Sequence, residues 1–346
     1  MSLPDPFTQI RLTALQALRG ANFWSSRPVT RMDLHVGAYE EISSAQAPGL
    51  TEALHRAMPG LVEHRCSVGE RGGFLARLRR GTYAPHIIEH VALELQTMAG
   101  HDVGYGKTRG GDVHGEYTLV FEHLHAGVGL RAAALALDIV QRAFAGTLES
   151  VDHAVAELRA LADSPDAPAV RQRVLCGITG GTLRHETRDA LARAGVGGES
   201  DEELVVDVAP SYILQAGLPY SRSRLAIILD AEPVDVPDRY REPERARKLV
   251  SVLADAVGRG GTVIAPAREW EVQDYARDVG SRVAIFSADG DITVKDRKAA
   301  SAVARVDDGR IMIERAGECR EAGSLRDDIP AAAQVAAALA RAILSE

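Results

Sequence analysis

The sequence predicts an α/β protein in two domains, a mixed α/β unit followed by a doubly wound parallel sheet. Three observations carry this. The 346 residues are enough for two domains of ordinary size, each with its own core. Over residues 203–286, short apolar runs at Glu203 to Val208, Arg224 to Leu229, Thr262 to Ala265 and Arg282 to Phe286 alternate with helical patterns at Glu242 to Val257 and Glu269 to Val279. That rhythm belongs to strand–helix–strand units, and so to a parallel sheet. Between the halves, Leu161-Ala-Asp-Ser-Pro-Asp-Ala-Pro reads as a linker, which sets boundaries at 1–160, 161–169 and 170–346.

Hydrophobic residues make up 46% of the chain and charged ones 25%, the balance of a soluble globular protein. The net charge of -8 is spread along the chain, which argues against a nucleic-acid surface. Cys66, Cys176 and Cys319 are odd in number and far apart, as expected in a reducing cytoplasm. Met1 to Arg11 lacks the features of a signal peptide, and no apolar run is long enough to span a bilayer.

In chain order, residues 9–19 are rich in helix formers and predict a short helix. Val29 to Val36 alternates and predicts a strand. Pro48-Gly49 leads into a helix over Leu50 to Met58, and Leu61 to Ser67 predicts a second strand. The glycine-rich loop 69–73 precedes a short helix, Phe74 to Arg80. Thr82 to Gly100 is one amphipathic helix, with Thr82 as N-cap, Pro85 in the first turn and Gly100 at the exit. Gly100 to Gly115, with Lys107, Arg109, Asp112 and His114, is a functional loop or a long hairpin connection. Glu116 to His125 alternates as a strand, and a helix follows at Leu130 to Phe144.

The chemistry concentrates on the Thr82 helix. At roughly 100° per residue, Ile87, Ile88, Val91, Ala92, Leu95, Met98 and Ala99 share one face, with His86, Glu89 and His90 opposite. Imidazoles four residues apart stand about 6 Å apart along the axis and can converge on one ion. His86-x-x-Glu89-His90 is a metallopeptidase signature, the inverse of the commoner zinc-protease pattern. A zinc ion held by His86 and His90 would acidify a bound water, and Glu89 is the candidate base for its proton. Six of the eleven histidines fall between His86 and His125, which strengthens the case for a metal. For the third ligand Glu122 is the first choice, as a strand carboxylate facing the helix, and Glu94 the second. Lys107 and Arg109 are candidates to receive a substrate carboxylate.

Arg19-Gly20-x-Asn22-x-Trp24-Ser25, Pro48-Gly49-Leu50, Pro59-Gly60-Leu61, Glu63-His64-Arg65-Cys66-Ser67, Gly72-Gly73-Phe74, the His86 helix, Thr108-Arg109 and Val120-Phe121-Glu122 resemble the N-terminal domain of cyanophycin synthetases across residues 17–145. The resemblance implies a domain that holds a growing aspartate–arginine polymer. In some members it also implies a metallopeptidase-like site matching His86, Glu89 and His90 here. Those synthetases continue with an ATP-grasp domain, whereas this chain passes directly to Val174-Leu-Cys-Gly-Ile-Thr-Gly-Gly-Thr182. That segment resembles the strand and phosphate loop of the Mur-ligase central domain. The lysine position is Gly181, so the charge expected on a transferred phosphate is missing. Only Asp207 stands as a carboxylate in the segment after the second strand. Tyr39, Trp270 and Asp230 have no role beyond packing. The pattern fades over Asp291 to Ile313 and ends at a helix, Pro330 to Ser345, with the Mur C-terminal lobe missing.

The expected function is therefore a zinc-dependent hydrolase that cleaves peptide or amide bonds, its Mur-like half a scaffold or the surface of a homodimer. The alternatives are a non-catalytic peptide- or polymer-binding partner of a biosynthetic ligase and, behind it, an ATP-dependent peptide ligase.

Overall fold

Residues 11–18, Arg-Leu-Thr-Ala-Leu-Gln-Ala-Leu, form a strand instead of the helix their composition predicts. Helix propensity is a weak preference, and here pairing with a neighbouring strand overrides it. The computed structural model describes residues 3–166, 173–197, 203–290 and 292–345. In it the chain divides into one unit of Met1–Leu18 with Arg27–Pro168 and a second of Arg19–Ser26 with Ala169–Glu346. Of the expected linker, Leu161 and Ala162 end a helix and residues 167–169 lie outside the described residues.

The first unit opens with α1 (Pro6–Gln9), β1 (Arg11–Leu18) and β2 (Val29–His35), then α2 (Leu50–Ala57), α3 (Gly73–Arg80) and α4 (Ala84–Met98). It closes with β3 (Gly106–Gly110), β4 (Glu116–Glu122), α5 (Ala126–Ala145) and α6 (Asp152–Ala162). The strands make one antiparallel sheet in the order β1-β2-β4-β3. The expected strand at Leu61 to Ser67 is instead two 3-10 turns, Pro59–Glu63 and Cys66–Val68. Helix α4 is buried along Ala84–Pro85 and Ile87–Gln96, so its polar residues are interior groups and not a solvated stripe. Its apolar residues join Met32, Leu34, Leu119 and Phe121 of the sheet and Ala132, Ala136 and Val140 of α5 in one core.

The second unit runs β5 (Arg173–Thr179), α7 (Arg184–Arg193), β6 (Glu203–Asp207), α8 (Pro210–Ala216), β7 (Ser223–Ile228) and α9 (Pro243–Asp255). There follow β8 (Val257–Pro266), α10 (Trp270–Asp278), β9 (Arg282–Ser287), α11 (Val294–Ala299), β10 (Ala302–Asp307), β11 (Arg310–Arg315), β12 (Glu318–Ser324) and α12 (Ala331–Leu344). The sheet order is β12-β11-β10-β9-β8-β7-β5-β6. Pairings from β6 to β10 are parallel, and β11 and β12 add an antiparallel edge. Successive strand residues face opposite layers. Leu225 and Ile227 pack with Leu191 of α7 and Val335, Ala336 and Leu339 of α12. Ala226 and Ile228 pack with Leu249 and Leu253 of α9 and Val272 and Ala276 of α10. This is the doubly wound α/β arrangement the alternation predicts.

Arg19–Ser26 joins the second unit and not the first. Arg19 bridges Gly217, and the Leu218 N–H donates to the Ala21 carbonyl at 2.8 Å. Phe23 enters the core of the second unit, edge-on to Tyr240 at 5.1 Å, with Lys248 Nζ 4.5 Å from its ring centroid. No helix among the described residues is long and apolar enough to cross a membrane.

Candidate functional site

A pocket of about 750 Å³ opens over α4, lined by residues of the two 3-10 turns, α3, α4 and the 102–108 segment. Every expected residue of α4 lies on it: His86, Glu89 and His90, with Glu94 one turn beyond. The ligand atoms of Cys66, His86 and His90 lie within 4.8 Å of one another. Thiolate and imidazole together are a donor set suited to zinc-class ions, so the residues present fit such a group.

The turns and helices fix these side chains through specific partners. The His86 ring spans Thr82 Oγ1 at 3.0 Å and Cys66 Sγ at 3.4 Å. Thr82 therefore orients a histidine instead of capping the helix, a place taken by Tyr83. His90 stacks on Phe74 with ring centroids 3.9 Å apart, and its Nδ1 lies 2.8 Å from His64 Nδ1. His64 Nε2 in turn lies 3.0 Å from Glu94 Oε2. In the tautomer of His64 that donates Nε2–H to Glu94, His90 donates its Nδ1–H to His64 and keeps a lone pair on Nε2. Such outer partners set ring tautomer and orientation in metal sites.

Burial dominates the electrostatics. It lowers the His86 pKa to about 4, helped by Arg77. It lowers that of His90 to about 2, with His86, His64 and Arg77 adding to the effect. Both rings are thus neutral near pH 7, the form that ligates metals. Burial raises the Glu89 carboxyl to about 7, opposed by the hydrogen bond that Thr108 Oγ1 donates to it. The β3–β4 register sets Gly106 opposite Phe121. This brings Gly106 against Glu89, where an added Cβ would sit 2.5 Å from the carboxylate. A side chain at position 106 would displace Glu89.

Glu122, the first choice for third ligand, is not among the clustered donors of the described residues. At the end of β4 its carboxylate accepts from Arg27 Nη1 at 2.8 Å and from the Gly104 N–H at 3.4 Å. Glu94 binds His64, and the cluster is completed by Cys66, which sits on a 3-10 turn and not on the expected strand. Lys107 lines the pocket, its pKa lowered by burial and by Arg109. Arg109 is exposed at the far end of β3 and off the pocket lining. Arg77, not singled out from the sequence, lines the pocket and donates to Ser67 Oγ at 2.7 Å.

In the second unit the backbone amides of the turn after β5 converge on one side chain. Asp230, just past β7, accepts from the Gly181 N–H at 2.7 Å, the Thr182 N–H at 3.2 Å, Thr182 Oγ1 at 2.7 Å and the Glu232 N–H at 3.0 Å. Asp230 thus has a role beyond packing. Asp207 pairs with Arg188 at 2.6 Å and His185 at 2.9 Å of α7.

Comparison with known proteins bears on the first unit. Residues 31–145 match the cyanophycin synthase-like N-terminal domain. A cyanophycin synthetase of Synechocystis sp. is 44% identical over 145 residues, 41% of this chain and 16% of that protein. One of Geminocystis herdmanii is 38% identical over 156 residues, 44% of this chain and 18% of that one. One of Trichormus variabilis is 45% identical over 136 residues, 38% and 15% of the two chains. The match therefore spans less than a fifth of each relative. Among solved structures, a MurF ligase from Thermotoga maritima in complex with ADP aligns at TM-score 0.38 and 10% identity over 51% of this chain and 46% of its own, too remote to assign anything. The first unit is cyanophycin synthetase-like, as its motifs imply. The hydrolase expectation, with its metallopeptidase or amidohydrolase label, is corrected here: the relatives the first unit matches are named as synthetases and not as hydrolases.

Proposed function

We propose that the chain is a peptide- or polymer-binding partner in a cyanophycin-type biosynthetic system. The observation that carries this is the mixed charge of the α4 pocket. Glu63, Glu89, Glu94 and Asp102 share its lining with Arg65, Arg77 and Lys107. A cavity of about 750 Å³ takes several residues of a peptide. Its two signs of charge suit a chain that carries both carboxylate and guanidinium groups. Cys66, His86 and His90 would hold a divalent ion of the zinc class, which when bound supplies positive charge for a ligand oxygen. Lys107 and Arg77 receive carboxylates, and Asp102 receives a cationic side chain. Three free cysteines suit work in the cytoplasm.

The second unit serves as scaffold in this reading, because the carboxylate of Asp230 takes the place a phosphate would need. ATP-dependent ligation by the chain itself is the second reading, favoured by the synthetase relatives. Calorimetry of the full chain separates the two. Short aspartate–arginine peptides bind, Arg77→Ala weakens them about tenfold or more, and ATP with magnesium and peptide gives no heat of turnover. Elemental analysis adds the metal, with Cys66→Ser and His90→Ala reducing its content. Peptide binding unaffected by Arg77→Ala would exclude the pocket, and peptide-dependent turnover of ATP would return ligation to first place.

A further inference from the structure

We propose a second ligand site, for a phosphate-bearing anion, where β7, β8 and β9 of the second unit begin. Strand pairing builds it. Ser223 pairs with Val257, yet Leu225 pairs with Thr262, so the segment Gly258-Arg-Gly-Gly261 bulges out opposite Arg224. Thr262 pairs on its other side with Arg282. Arg224, Arg259 and Arg282 therefore converge on one concavity of about 260 Å³. Among the described residues no carboxylate lines it, and none of the three guanidiniums has an ion pair. Elsewhere in this unit arginines such as Arg188, Arg247, Arg305 and Arg326 are matched to acids.

The bulge is shaped for close approach. A Cβ on Gly261 would lie 2.6 Å from Val257 Cγ1 and 2.9 Å from the Arg224 carbonyl oxygen, and Gly260 has φ +83°. Arg259 folds back over Gly280, two residues before Arg282, its Cγ 3.5 Å from where a Cβ there would stand. Three positive charges with no counter-ion among the described residues exceed what one carboxylate needs. They match the charge and several acceptor oxygens of a phosphate or diphosphate group. The site lies at the strand starts, at the opposite ends from the Asp230 turn after β5 and β7.

Calorimetric titration of the full chain with inorganic pyrophosphate tests this, with ADP and citrate as parallel probes. Pyrophosphate binds, and Arg224→Gln, Arg259→Gln and Arg282→Gln each weaken it about tenfold or more. These side chains are exposed, so the variants fold, which unchanged thermal unfolding verifies. ADP binding with the same three sensitivities identifies the source as a nucleotide's phosphates, and pyrophosphate binding alone identifies the free anion. No heat with millimolar pyrophosphate overturns the proposal. So does binding that survives all three substitutions, or citrate binding as tightly as pyrophosphate.

Discussion

Replacing Asp230 with alanine removes the acceptor shared by three backbone N–H groups and one hydroxyl. Hydrogen bonds to a charged acceptor contribute about 1.5–3 kcal/mol each, but not additively. Thr182 and Glu232 are exposed and their groups regain water, so the cost falls mainly on the Gly181 amide. A loss of about 1.5–3 kcal/mol follows, which for a unit of this size lowers Tm by about 3–12 °C. Both tryptophans, Trp24 and Trp270, belong to the second unit, so tryptophan fluorescence follows its unfolding selectively. The emptied turn then offers its amides to an outside anion. Phosphate or sulfate should raise the Tm of Asp230→Ala more than that of wild type, by linkage. A variant that melts within about 1 °C of wild type, or that gains no more from added anion, would refute the internal-carboxylate account.

Two further outcomes are expected. Burial lowers the His123 pKa from 6.5 to about 4. Below pH 6.5 the unfolded chain takes up a proton that the native ring refuses, so stability is full above 6.5 and falls until pH 4. The loss from this one group is about 3 kcal/mol. His86 and His90 act in the same direction, so the measured quantity is the reduced acid sensitivity of His123→Asn relative to wild type, read by circular dichroism. An unchanged slope would count against a neutral native ring. Phe23→Ala should destabilise the second unit by about 3–5 kcal/mol, lowering the tryptophan-detected transition. An effect confined to the first unit would contradict the placement of Arg19–Ser26.

The fold was legible where one period dominated. The Thr82 helix, the alternating strands and the last helix follow from spacing alone. Residues 11–18 were not, because Leu, Ala, Gln and Arg favour helix locally while strand pairing to Val29–His35 decides the outcome. In the site, His86, Glu89 and His90 were visible because a helix fixes their geometry within five residues. His64 and Cys66 belong to the site but lie in a stretch whose sequence suggests a strand. Read as a strand, their segment gave no reason to turn toward α4. Its 3-10 turns, with Cys66 at φ 53°, depend on contacts that no local pattern encodes. Glu122 lies outside the Cys66, His86 and His90 cluster because Arg27, 95 residues away, holds its carboxylate. Asp230 was invisible for the same reason: its partners at 181 and 182 become neighbours only through the parallel pairing of β5 with β7.

The passage of Arg19–Ser26 into the second unit changes what a covalent break can do. The chain crosses between the units three times, after residues 18, 26 and 168. A protease that cuts once between residues 166 and 173 leaves the N-terminal fragment carrying Phe23, which remains embedded beside Tyr240. The nicked protein should therefore migrate as one species under native conditions and separate only on denaturation. During synthesis the same feature imposes a wait. Residues 19–26 emerge first, and their docking surface at Gly217, Leu218 and Tyr240 is not made until about two hundred residues later. A fragment cut at the apparent boundary near residue 170 lacks a piece of its own interior.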